Sequence, residues 1–183
     1  MYWHIREAVR QLTAGGIIAY PTDTVYGLGC NPFSATAVLH LLAIKHRALQ
    51  QGVILIGSDL KQFQTLLLPL TKTTRNRITR ASKQPVTWVL PCQPDAPVWL
   101  TGQHDTLAIR ITRHPVAALL CEQWGGPLVS TSANIHGRRP ATRPLQVIKS
   151  FNGQLDYILY GSPGATNSPS TIRDGLTGEV LRT

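Results

Sequence analysis

The residues that could carry chemistry fall into four short runs at the edges of apolar stretches. The first is Tyr20-Pro21-Thr22-Asp23-Thr24-Val25-Tyr26-Gly27-Leu28-Gly29. It follows the apolar stretch Ile17-Ile18-Ala19, and α/β folds place ligands where such strands end. Gly27 and Gly29 allow backbone to approach a ligand closely. Thr22 and Thr24 offer hydroxyls that donate and accept. The same residues also make an ordinary polar turn, with Asp23 bonding nearby backbone. The second run is Lys45-His46-Arg47. Two cations at a helix end match the helix dipole with no ligand at all. A Lys and an Arg two apart can also clamp a polyphosphate, the Arg as a fork and the Lys as a point charge.

The third run, Ser130-Thr131-Ser132-Ala133-Asn134, follows the apolar pair Leu128-Val129. Its hydroxyls and amide suit phosphate oxygens or a base edge, and they suit an N-cap and turn equally well. The fourth is Ser168-Pro169-Ser170-Thr171-Ile172-Arg173-Asp174, whose Arg and Asp read first as a surface pair.

The elements that must hold these runs are legible from spacing. Ile5, Val9 and Leu12 predict a helix over residues 3–14, closed by Gly15-Gly16. Residues 17–20 and 53–56 read as buried strands, with Pro21 ending the first. Ser34 caps a helix through Ile44, which puts Lys45 and Arg47 at its end. Asp59 is expected to cap a helix through Leu67, and another helix is expected over 72–81. Strands are predicted at 86–90, 106–111, 128–129 and 157–160, and helices at 116–123 and 144–150. The C-terminus reads as a strand or hairpin turning at Gly175-Leu176-Thr177-Gly178. Strands alternating with helices predict an α/β sheet covered by helices.

Composition narrows the classes. The 183 residues are one domain's worth, so a single domain over 1–183 is expected. Eighteen Lys and Arg against nine Asp and Glu give a net charge of +9, which favours anionic partners. No apolar run approaches membrane-spanning length. Three widely spaced cysteines, Cys30, Cys92 and Cys121, are neither a disulfide framework nor a zinc set, and read as reduced thiols of a cytoplasmic protein. There is no GxxxxGK[ST], GxGxxG, HExxH or GxSxG. An ordinary P-loop enzyme, a dinucleotide enzyme, a zinc protease and an α/β-hydrolase therefore lack their signatures.

Taken in order, Pro21-Thr22-Asp23-Thr24-Val25-Tyr26-Gly27-Leu28-Gly29, Lys45-x-Arg47, Ser130-Thr131-Ser132-Ala133-Asn134 and Ser170-Thr171-Ile172-Arg173-Asp174 resemble the YrdC-domain family, the threonylcarbamoyl-AMP synthases. The length, Trp99-Leu100-Thr101-Gly102 and Leu176-Thr177-Gly178-Glu179 resemble the short bacterial members in particular. The resemblance implies a twisted, mixed, open sheet flanked by helices around a basic cavity. It implies an enzyme that turns ATP, L-threonine and bicarbonate into threonylcarbamoyl-AMP and pyrophosphate, with Mg²⁺ carried in by ATP. The product would serve the TsaB, TsaD and TsaE machinery, which modifies tRNA beside the anticodon.

By the same resemblance, Thr22, Arg110 and Ser170 would contact threonine. Lys45, Arg47, Ser132, Asn134 and Arg182 would hold ATP, with Lys45 and Arg47 as the catalytic cations. No nucleophilic side chain is required, and no metal ligands are expected. The chain departs from the family in having Ala48 where Pro is common after Lys-x-Arg, and no histidine in Val53–Gly57. The longer members' C-terminal domain has no counterpart here, so a cap over the site is expected from a loop or a partner.

A rival from another class is an RNA-binding protein without catalysis, contacting tRNA or double-stranded RNA. Lys72, Arg75, Arg77, Arg80 and Lys83, with Arg138, Arg139 and Arg143, make basic clusters. There is no RRM or KH signature beside them.

Overall fold

The computed structural model describes residues 2–80, 82, 84–135, 137–164 and 170–182. Lys83, Ser168 and Pro169 of the runs above lie outside the described residues. The elements are α1 (Tyr2–Thr13), β1 (Ile18–Pro21), β2 (Tyr26–Gly29), α2 (Ala35–Ile44), β3 (Ile54–Gly57), α3 (Lys72–Thr79), β4 (Val86–Pro91), α4 (Val98–Thr101), β5 (Thr106–Ile111), α5 (Pro115–Trp124), β6 (Leu128–Ser132), α6 (Pro144–Phe151), β7 (Tyr157–Ile158), β8 (Thr171–Asp174) and β9 (Val180–Arg182). The strands form one sheet in the order β7-β1-β2-β6-β3-β5-β4-β8-β9, with parallel and antiparallel neighbours. The expected mixed open sheet with flanking helices is what forms.

Helix boundaries follow their caps. The Ser34 hydroxyl accepts from the Ala37 N–H at 3.3 Å and starts α2. Pro115 opens α5, and Gly125, left-handed at φ 83°, ends it. Asp59 does cap, but over a short 3₁₀ turn, Leu60–Phe63, not the helix expected through Leu67. The residues after it pair with the end of β4 instead: Leu67 bridges Cys92, the Leu68 N–H donates to the Pro91 carbonyl at 3.1 Å, and the Gln93 N–H donates to the Leu66 carbonyl at 2.9 Å. Three further differences concern strands. Tyr26–Gly29 is a strand, pairing with β1 as a hairpin, where a loop was expected. β7 covers only Tyr157–Ile158 of the expected 157–160, and β1 runs on through Pro21. α4 was not anticipated.

Cross-strand pairs share a sheet face, so the register sorts the side chains into two layers. Leu28, Leu55, Trp88, Leu90, Leu107, Ile109 and Val129 join the larger core beneath α2, α3 and α6. On the other face, Tyr20 pairs with Gly27, Gly27 with Ser132, Ser130 with Ile54, and Ile56 with Arg110. One end of this face is sealed: Ile18, Tyr20, Ile56 and Leu128 pack with Ile5, Ala8 and Leu12 of α1 and with Val116, Ala117 and Leu120 of α5. At the other end, Ile54, Val89, Ala108 and Ser132 stay half-buried. Small and polar residues gather there: Gly27, Ser130, Ser132, Ala108 and Arg110. Among the described residues, α1 and α5 lay no apolar side chain over this end of the face.

Candidate active site

β1 and β2 meet in a tight turn at Thr22–Val25. The Thr22 hydroxyl donates to the Val25 carbonyl at 2.8 Å, and the Thr22 N–H bonds the same oxygen at 3.1 Å. Thr22 is buried against Gly27, where an added Cβ would come within 2.9 Å of its methyl and 3.4 Å of Ser130 Oγ. Only glycine lets Thr22 and Ser130 converge on that strand. Ser130 is a site candidate that sequence reading named only within a run. Its period-two spacing to Ser132, which aims both at the open face, was the available signal.

Lys45 caps α2 and is buried. Its ammonium donates to the Ser132 carbonyl, to the Asn134 carbonyl at 2.6 Å and to Asn134 Oδ1 at 3.2 Å. Ser132 Oγ donates to the same Oδ1 at 2.6 Å, and the Asn134 amide donates to the carbonyls of Ile135 and Arg138. Lys45, Ser132 and Asn134 therefore form one bonded unit. His46 follows with φ 50°, a left-handed step that turns the chain after the helix. Arg47 then donates through Nη2 to the Gly52 carbonyl at 2.9 Å, while its buried Nε has no partner among the described residues.

Charge is concentrated here. Burial, and then Arg47, pushes the Lys45 ammonium down to about 8. Burial and the positive charge of Arg182 lower Arg47 as well. Arg182 is exposed on β9, the edge strand. Among the described residues, the hydrogen-bond acceptors of Lys45 and Arg47 are carbonyl and amide oxygens and none is a carboxylate. Cations gathered so, with no carboxylate bonded to Lys45 or Arg47 among the described residues, favour an incoming anion.

Arg110 reaches the same face from β5. It is 7% exposed, and its Nε also lacks a partner among the described residues. Burial lowers its pKa, and the negative charge of Asp23 works against that. Ser170, just before β8, is buried and bonds the Thr87 hydroxyl at 2.9 Å. Thr87 sits one step beyond the Trp88–Ile109 pair, so the antiparallel register sets it across from Arg110. The eight sequence-predicted residues thus fall into two groups. Lys45, Arg47, Ser132, Asn134 and Arg182 are linked by bonds or by charge. Thr22, Arg110 and Ser170 surround the floor of the open face. A separate cavity of about 350 Å³ lies beside the Thr22–Val25 turn, lined by Asp23, Arg80, Trp88, Arg113, His114 and Gly164, and includes none of the eight.

A strap of residues 161–164 crosses the turn. Tyr26 Oη donates to the Gly161 carbonyl at 2.6 Å, His114 Nε2 bonds the Ser162 carbonyl at 2.9 Å, and the Gly164 N–H donates to the Thr22 carbonyl at 2.9 Å. The Gly-, Ser- and Pro-rich run 161–169 reads in the sequence as a covering loop without indicating its partners, and its residues 165–169 lie outside the described residues.

Residues 10–183 match the family described as Sua5_yciO_yrdC, telomere recombination. The chain is 52% identical over 180 residues to a threonylcarbamoyl-AMP synthase of Nitrosococcus oceani, covering 98% of this chain and 97% of that protein. It is similar to P. abyssi Sua5 complexed with L-threonine, with TM-score 0.88 and 31% identity over 95% of this chain; it spans about half, 51%, of that longer protein. The fold also matches E. coli YciO, with TM-score 0.82 and 27% identity, covering 97% of this chain and 87% of that one. Together with the four runs and the faces they occupy, these likenesses settle the family: the chain belongs to the Sua5/YciO/YrdC family.

Proposed function

We propose that this chain is an L-threonylcarbamoyladenylate synthase, a nucleotidyltransferase that joins L-threonine, bicarbonate and ATP. The observation that carries the reading is the cluster of Lys45, Arg47 and Arg182 beside the Ser132–Asn134 turn, whose Lys45 and Arg47 bond no carboxylate among the described residues, together with the buried cation Arg110 on β5. It offers separate positive sites for a polyphosphate and for a small carboxylate. The names of full-length relatives support the reaction.

Bond changes balance simply. The threonine amine attacks the carbon of bicarbonate, and water leaves to give a carbamate. A carbamate oxygen then attacks the α-phosphorus of ATP, and the bond to the bridging oxygen breaks to release pyrophosphate. The protein supplies position and charge, not a covalent intermediate. Arg47 and Arg182 face the leaving phosphates. Lys45 shapes the Ser132–Asn134 turn and adds its charge. Arg110 pairs the threonine carboxylate, and Thr22 and Ser170 frame its side. Mg²⁺ enters as part of the ATP substrate, since ions of this kind bind mainly through phosphates and water. Among the described residues, no group of three His, Cys, Asp or Glu forms a metal cage.

The adenylate would pass to the TsaB, TsaD and TsaE machinery for tRNA modification. Arg138, Arg139 and Arg143 stand exposed and offer a surface for RNA contact. No helix among the described residues is long and apolar enough to cross a membrane.

Pyrophosphate release tests the reading. Release should require ATP, threonine and bicarbonate together, and Arg47→Ala should cut it by about tenfold or more in a folded protein. Release without threonine, or wild-type turnover in the variant, would contradict it.

A further inference from the structure

Asp23 follows Thr22 in the β1–β2 turn and reaches across to the end of β5. Its Oδ2 accepts from the Thr112 hydroxyl at 2.8 Å, and its Oδ1 accepts from the Arg113 N–H at 3.1 Å. Thr112 is itself fixed, because its N–H donates to the Gly57 carbonyl at 2.9 Å and its hydroxyl accepts from the His114 N–H at 3.3 Å. Thr112 lies two residues beyond Arg110. One carboxylate therefore ties the turn bearing Thr22 to the strand end bearing Arg110. The turn is pressed from its other side, where Gly164 packs so closely on the Asp23 backbone that a Cβ there would collide with it.

Charge adds to the tether. Arg110 is deeply buried, and Asp23 offsets part of the burial that disfavours its guanidinium charge. Meanwhile the bonds of Lys45, Ser132 and Asn134 run among themselves and to Ile135 and Arg138, and none of them reaches Asp23. Among the described residues, the bonds that hold Lys45, Ser132 and Asn134 are distinct from the bonds of Asp23 to Thr112 and Arg113.

We propose that Asp23 is a positioning residue for the threonine half: it sets the distance between Thr22 and Arg110, and so governs threonine affinity while leaving ATP affinity intact. This rests on the assignment of Thr22 and Arg110 to threonine made above.

Two variants separate tether from charge. Asp23→Asn keeps an acceptor oxygen and removes the charge. Thr112→Val removes the hydroxyl tether and keeps the charge. Steady-state kinetics with each substrate varied in turn, and thermal unfolding, read the outcome. The threonine KM should rise by about tenfold or more in Asp23→Asn and by about threefold or more in Thr112→Val, with the ATP KM changed by less than about twofold in both. An unchanged threonine KM, or equal rises in both KM values, overturns the proposal. If Asp23→Asn fails to fold, Thr112→Val decides by the same criterion. Active wild-type protein with unchanged variants defeats this inference alone, whereas wild-type protein without threonine-dependent turnover defeats the functional reading and this inference with it.

Discussion

Lys45 commits its three ammonium protons to three oxygens of the 132–134 segment. A neutral amine has only two protons to give, so deprotonation must break part of that unit. Burial holds the pKa down at about 8, against an ordinary lysine value of 10.5. Between those values the folded protein binds fewer protons than the unfolded chain, so this residue makes stability rise with pH across that window. Anion binding works the other way, because it favours the charged form. ATP affinity should therefore fall by about tenfold between pH 7 and pH 9, measured by calorimetric titration. Lys45→Arg, whose guanidinium stays charged, should flatten that profile. A profile that is flat in the wild-type protein would remove Lys45 from the ATP site.

The β1–β2 hairpin is the element that makes the site possible. It delivers Thr22 and Asp23 at its turn and Gly27 and Gly29 along its return strand. A Cβ on Gly29 would collide with the Val129 carbonyl and with the Tyr20 ring. Gly29→Ala should therefore cost about 2 kcal/mol or more, read as a lowered denaturant midpoint. Unchanged stability would mean that β2 and β6 part more easily than their packing suggests. This element also shows what spacing could and could not reveal. Tyr26-Gly27-Leu28-Gly29 has two glycines, which weaken strand propensity, so the second strand read as loop. The glycines are there because neighbouring backbone and the Tyr20 ring crowd that strand, a tertiary fact with no local signal. Ser34, Pro115 and Gly125 behave differently. Their effects are local, and α2 and α5 run close to where those residues place them.

At the scale of the whole molecule, α1 and α5 seal one end of one sheet face and, among the described residues, do not reach the other. The α/β class was legible from alternating apolar runs, and the register was not, because strand order depends on contacts distant in sequence. The four polar runs were legible as candidates, yet spacing alone left each balanced against a turn or a cap. The family resemblance singled out eight residues from them and from strands. The structure adds how they divide: a bonded, cation-rich group around Lys45 and a buried group around Arg110 and Asp23. Asp23 itself read as a turn former, because its partners Thr112 and Arg113 lie about ninety positions away.

The most direct measurement of the central claim is mass spectrometry of the product formed from ATP, L-threonine and ¹³C-bicarbonate. Threonylcarbamoyl-AMP that carries the labelled carbon in its carbamoyl group should form in step with pyrophosphate. Pyrophosphate released with no labelled adenylate, or an adenylate of threonine lacking that carbon, would contradict it.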